Sequence, residues 1–284
     1  MAHRLITETE ALAALKPVGV NHLRFFEVID STNAEAGRWI AAGAPDRALV
    51  LAEEQTQGRG RQGRQWITPR GAALALSLIL KPEKMALPPQ VGPHFTALGA
   101  LAVCEALQTL YGLDAQIKWP NDVLLGGEKV AGVLVEAIWQ GSDLVALILG
   151  IGVNVFAEAA PPPSAVVLPA TSVQAHAAGH PVDRLELLKA IVARSIDWLA
   201  RVADSALVAA WAARLAYRYQ WVMVADPKSE SPYRAYIRGL AQDGALEVVT
   251  AAGAERRLTG GEISLRPWPE NLVDQNPNLE AHDA

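Results

Sequence analysis

The chain has 284 residues, 51% hydrophobic and 19% charged, with 25 Lys plus Arg against 30 Asp plus Glu for a formal net charge of −5. A chain this long and this apolar can bury a sizeable core, which excludes global disorder and fits one large domain or a medium one with a small one. The acidic balance argues against generic binding to nucleic acid or an anionic membrane, because both need a bulk positive field.

The start, MAHRLITETE, has no basic region followed by an apolar one, so no signal peptide is expected. Residues 24–30 predict a short strand. Thr32 with Glu35 three residues on predicts a capped helix over 32–42, with Gly43 at its stop. Ala48–Ala52 predicts a buried strand, 54–71 a long functional loop rich in Gly, Arg and Gln, and Leu74–Leu80 a strand stopped by Pro82. After LPPQVGP, residues 94–111 carry almost no charge and predict a helix buried on most sides. It holds Cys104, the single cysteine, which can form neither an internal disulfide nor a cysteine cage for a metal and reads as an inert buried thiol. Ile117–Trp119 and Val123–Leu125 predict short strands, with a hairpin turn at Gly126-Gly127. Val130–Trp139 and Leu144–Val155 predict two long strands. The longest uncharged apolar stretch, Leu144–Phe156, is shorter than the roughly 20 residues of a membrane span, so a cytoplasmic protein is expected.

The Pro-rich stretch 157–170 predicts a surface loop. Asp183 with Glu186 predicts a helix running to about residue 202, and another covers 205–217. Character then changes. Trp221–Ala225, Tyr233–Leu240, Ala245–Val249 and Arg256–Leu258 alternate and are separated by turns, which predicts a small barrel-like β module. The polar tail after Pro267 is expected to be disordered.

Within the loop, Gly58, Gly60 and Gly63 match G-x-G-x-x-G. A dinucleotide site needs a helix after that turn, and here Trp66-Ile67-Thr68-Pro69 is extended. A P-loop is excluded because no Gly-Lys-Ser/Thr follows. What remains is Arg59, Arg61, Arg64 and Arg70 interleaved with glycines. Glycines let backbone N–H groups face a ligand, and arginines supply forked cationic donors, so the loop suits carboxylate and phosphate. It should be mobile when empty, because its charges repel. A merely solvated basic loop is the competing reading. Downstream, KWPNDVLLGGEKVAGVLVE sets Lys118, Asn121, Asp122 and Lys129 among strands. Asn121 can read a purine edge, Asp122 can hold Mg²⁺, and Lys129 can neutralise a carboxylate or an α-phosphate. Taken singly, each also reads as an ordinary turn or strand end.

Together these segments resemble the biotin protein ligases. The matching motifs are Ser31-Thr32-Asn33, Gln55 with GRGRQGRQW at 58–66, KWPND at 118–122, Lys129-Val-Ala-Gly132 and GEISLR at 261–266, in the family's order over about residues 24–267. The resemblance implies an α+β fold: a mixed sheet packed on helices, like the class II synthetases, over 1–217, an SH3-like β-barrel over 218–267 and a tail over 268–284. It implies ATP and biotin as substrates with Mg²⁺, and a biotin carboxyl carrier protein, of acetyl-CoA carboxylase or another biotin-dependent carboxylase, as partner. Biotin contacts would come from Ser31, Thr32, Asn33, Gln55, Arg59, Gly60, Arg61, Lys129 and Gly132. Nucleotide contacts would come from Gly58, Arg61, Arg64, Trp66, Lys118, Asn121 and Asn154, with Asp122 toward Mg²⁺. Arg59, Arg61 and Lys129 would act on the reacting groups, Arg61 also retaining the intermediate.

Gln62 stands where a third loop arginine often occurs, and the C-terminal module matches strongly only at GEISLR. About 23 residues precede the first catalytic strand, too few for a winged helix-turn-helix, so a monofunctional ligase without DNA binding is expected. Homodimerisation through sheet edges is left open. The competing functions are a lipoate or octanoate ligase or transferase of the same fold, and a non-enzymatic biotin or nucleotide binder.

Overall fold

The computed structural model describes residues 3–81, 92–162, 168–227, 229–260 and 263–267. Seven strands form a mixed sheet: β1 (Leu23–Phe26), β2 (Leu49–Ala52), β3 (Ala73–Leu80), β4 (Gln116–Lys118), β5 (Asp122–Leu125), β6 (Glu128–Gln140) and β7 (Asp143–Asn154). Their order is β1-β2-β3-β7-β6-β5-β4, with β1 and β2 parallel and every other pair antiparallel. The parallel pair needs a crossover, and the helix α2 (Thr32–Ala41) supplies it.

The two faces of this sheet are used differently. On one, α3 (Gly92–Tyr111) packs so closely that a Cβ on Gly99 would lie 2.9 Å from Val133 and Leu149 side chains. Behind it lies α5 (Arg184–Leu199), whose Leu187, Leu188, Ile191 and Val192 are buried at helical spacing. Cys104 is buried in this layer, and burial pushes its thiol up to about 12, so it is inert. The other face carries a transverse row set by register: Ala75 pairs with Gly152, Gly152 with Gly132, Gly132 with Asp122 and Asp122 with Lys118. Two residues along, the next row runs Val50, Ser77, Gly150 and Leu134. Small residues in adjacent rows make a shallow bed, and the N-terminus of α2 sits beside it.

A five-stranded antiparallel sheet follows, in the order β11-β10-β9-β8-β12: β8 (Trp221–Ala225), β9 (Tyr233–Leu240), β10 (Leu246–Thr250), β11 (Glu255–Leu258) and β12 (Ser264–Pro267). Its 242–244 turn is tied to the first unit. The Trp119 indole donates to the Gly244 carbonyl at 3.0 Å, and the His94 ring nitrogens lie 3.0 and 3.1 Å from the carbonyls of Val202 and Gln242.

Several local expectations change. Ser31, not Thr32, caps α2, accepting from the Ala34 N–H; the Thr32 hydroxyl is engaged instead by Gln55 and Ser77, and Glu35 pairs with Arg24 and Arg38. A helix α1 (Glu8–Leu15) was not foreseen, although Thr7 and Glu10 form a complete capping box. The helix expected to reach residue 202 ends at Leu199, and α6 (Ser205–Ala213) ends short of 217, beyond which Tyr217 and Tyr219 take positive φ. A short helix α4 (Val173–His176), not expected from the sequence, follows the predicted loop 157–170. The tail 268–284, Pro163, and Gly261 and Glu262 of the GEISLR motif lie outside the described residues.

Candidate active site

The bed between α2 and the glycine rows is a narrow slot of about 50 Å³. Ser31, Thr32 and Asn33 line one side because Ser31 ends the β1–α2 connection as a helix cap. The Gln55 carbonyl oxygen accepts from the Thr32 backbone at 2.8 Å, and its amide nitrogen donates to Thr68 at 3.0 Å, so its orientation is fixed. Ser77 lies 2.8 Å from the Thr32 hydroxyl and 2.6 Å from Asn33 Oδ1. The floor is backbone. A Cβ on Gly150 would overlap Asn33 Oδ1, and one on Gly152 would lie 2.5 Å from Trp66 Nε1. Trp66 therefore lies on Gly152 with Gly132 beside it, and its buried Nε1 finds no hydrogen-bond partner among the described residues.

The arginine loop roofs the slot. It is more built than its charge predicts: the Gly60 N–H donates to Arg64 at 2.7 Å, the Trp66 N–H to Gly58 at 2.8 Å, and residues 61–63 form a 3₁₀ turn. Gly58 is needed there, since any side chain would overlap the Trp66 carbonyl. Arg59 and Arg64 are exposed, with Arg59 paired to Glu136 and Arg64 to Gln62. Arg61 turns inward and donates to Asn121 Oδ1 at 2.7 Å, while Asn121 donates to the Val133 carbonyl at 3.1 Å. Burial pulls the Arg61 pKa below its ordinary value, although nearby Asp122 opposes this. Arg70 pairs with Glu27 outside the slot.

A second cavity of about 490 Å³ adjoins the slot, a size typical of small-molecule sites. Gly60, Arg61, Trp66, Asn121 and Lys129 line both. Arg64, Lys118, Asp122 and Asn154 line the larger one, as do Ile263, Leu265 and Arg266 of the second sheet. The C-terminal module thus contributes a wall, which its weak motif match did not reveal. Asn154 is anchored by donating to the Thr171 carbonyl at 3.1 Å.

Asp122 departs from the metal expectation. Its carboxylate lies 2.5 Å from the Lys129 ammonium and 3.1 Å from that of Lys118. Burial opposes its ionisation, but the two lysines overcome this and hold it at about 2. Burial likewise pulls the Lys118 pKa down against the pull of Asp122. A carboxylate already shared by two ammonium groups does not fit a protein-held Mg²⁺. Asp122 instead aims lysines.

Comparison with known proteins bears on the family and the fold. The model of the biotin/lipoate A/B protein ligase family matches residues 25–154. A biotin–[acetyl-CoA-carboxylase] ligase of Paracoccus denitrificans is 38% identical over 80% of this chain and 93% of its own length. The chain belongs to the biotin protein ligase family. A bifunctional ligase/repressor BirA of Bacillus spizizenii is 36% identical over 66% of this chain, which spans only 57% of that relative. The fold of a biotin protein ligase from Aquifex aeolicus, solved in complex with biotin and ATP, superposes with a TM-score of 0.72 at 27% identity, over 87% of this chain and 99% of that one. Four residues of this biotin protein ligase fold escaped the motif reading: Ser77, Glu136, Gly150 and Gly152. The signals were there. Ser77 is one hydroxyl in the apolar strand ALALSLIL, and glycines inside a strand mark close approach of another group.

Proposed function

We propose that this chain is an ATP-dependent biotin protein ligase. It would join biotin to a lysine of a biotin carboxyl carrier protein, that of acetyl-CoA carboxylase first, through biotinyl-5′-AMP. The observation that carries this is the junction of two cavities at Lys129, Arg61 and Asn121. The narrow polar slot suits the ureido head of biotin, which needs paired donors and acceptors. The larger cavity suits ATP. A carboxylate leaving the slot would meet the α-phosphate at the shared residues.

The first half-reaction brings two anions together, and fixed cations that offset the developing charge lower its barrier. Lys129, held by Asp122, and the inward Arg61 stand at that point; Arg59 and Arg64 stand on the roof. The carboxylate attacks the α-phosphate and pyrophosphate leaves. In the second, an acceptor amine attacks the mixed anhydride and AMP leaves. No enzyme nucleophile is required. Arg61, clamped to Asn121 over the junction, is the residue that would retain the adenylate. The division of the chain near residue 217, a role without DNA, and a cytoplasmic site of action are part of the same reading. The net charge of −5 and the lack of any described helix able to cross a membrane support it.

Biotin-dependent ATP–pyrophosphate exchange tests the proposal. Exchange with biotin is expected; exchange with lipoate or octanoate alone would favour the ligases of the alternative substrate class.

A further inference from the structure

Glu136 is not among the contacts that the family resemblance implies, yet it bonds two residues that are. Its Oε2 accepts from Asn33 Nδ2 at 2.6 Å, and its Oε1 lies 3.4 Å from Arg59 Nη1. It sits on β6, two residues along the same face from Leu134 and four from Gly132, so register carries it to the rim of the slot.

Its acceptor-only chemistry matters. The Asn33 amide has nearly the same shape either way round, so packing alone does not choose its orientation. Here its nitrogen faces two acceptors, Glu136 Oε2 and the Leu134 carbonyl at 3.5 Å, and its oxygen faces the Ser77 hydroxyl. A reversed amide would set its oxygen against a carboxylate. The other oxygen of Glu136 meanwhile gives a loop arginine its partner. One side chain thus joins the fixed floor of the slot to its roof.

We propose that Glu136 is a positioning residue for biotin, orienting the Asn33 amide and holding Arg59 over the slot. This rests on the ligase reading. The test compares Glu136→Ala and Glu136→Gln with the unmodified protein in biotin-dependent ATP–pyrophosphate exchange and in hydrogen exchange of residues 58–65 without ligand. The Glu136 side chain is 34% exposed, so neither change is expected to prevent folding. Glu136→Ala removes both bonds and is expected to raise the KM for biotin about tenfold, the loss of one charge-assisted hydrogen bond. The KM for ATP and kcat should stay within about threefold, consistent with loss of ground-state binding. Glu136→Gln still accepts from Asn33 but loses the arginine pair. It should raise the biotin KM less while speeding loop exchange as much as Glu136→Ala does. A biotin KM within about twofold of the unmodified protein in both variants, or an equal rise in the KM for ATP, would overturn the proposal. Absence of biotin-dependent exchange in the unmodified protein would instead overturn the ligase reading, while the loop-exchange comparison still reports on Glu136.

Discussion

Single residues set the chemistry through what lies next to them. Gly152 is a floor on which the Trp66 ring rests, so Gly152→Ala must push the ring off its bed. Overpacking of this kind costs about 1–3 kcal/mol of stability. Displacing a group that lines both cavities is expected to lower kcat/KM for pyrophosphate exchange on the order of 10²-fold. Asp122→Asn acts differently, by leaving Lys118 buried without a counter-charge and Lys129 unaimed. Adenylation should slow by on the order of 10²-fold. Stability carries a sign that can be checked. The Asp122 carboxyl is held at about 2 against its ordinary 3.8, so its contribution is complete above about pH 4 and is lost as pH falls toward 2. The difference in unfolding free energy between Asp122→Asn and the unmodified protein, followed by urea titration across pH, should be flat above pH 4 and shrink below it. The motif residues were legible at this scale because their types are chemically distinctive. The Asp122 role was not, since the sequence does not reveal that Lys118 and Lys129 reach the same carboxylate.

Elements bring these residues together, and their register does what no local pattern announces. The row from Ala75 through Gly152 and Gly132 to Asp122 joins residues from four strands scattered along the chain between positions 75 and 152. Strands and the long helix were readable from periodicity and turn residues, but pairing order was not, so Ser77 and Glu136 stayed hidden among ordinary strand positions. The arginine loop shows the opposite case. Its position was plain from composition, whereas its internal bonds, Gly60 to Arg64 and Trp66 to Gly58, could not be read from a charge count. Those bonds shape its motion. A slot of about 50 Å³ lies well below the roughly 300–1,000 Å³ of small-molecule sites, so on the ligase reading residues 58–66 are expected to lift and reseat as biotin enters. Amide hydrogen exchange in 58–66 is expected to be slowed by biotin relative to the free protein, and more by biotin with ATP. Exchange that is slow and indifferent to both would show a fixed roof.

At the scale of the molecule, the second sheet closes one side of the larger cavity, the one proposed to take ATP. Ile263 and Leu265 are buried and line the larger cavity. What holds the module in place should therefore influence ATP more than biotin. His94 tests this, because it lies at the start of α3, lines neither cavity, and sets its ring between the Gln242 and Val202 carbonyls, bonding whichever faces its N–H. His94→Ala removes the ring from between a buried carbonyl (Val202) and a part-buried one (Gln242); a neutral imidazole donates to one of them, so about 1–3 kcal/mol is lost if water does not replace that bond. The melting temperature should fall. If the module wall contributes to nucleotide binding, the KM for ATP should rise about three- to tenfold, corresponding to about 0.7–1.4 kcal/mol, while the KM for biotin holds. The slot is lined by the first sheet, the N-terminus of α2 and the loop, and His94 is not among its lining residues. An equal rise in both constants would mean that the variant loosens the catalytic layer itself, and no rise in either would mean that the 242–244 turn is a mechanical joint with no bearing on the nucleotide.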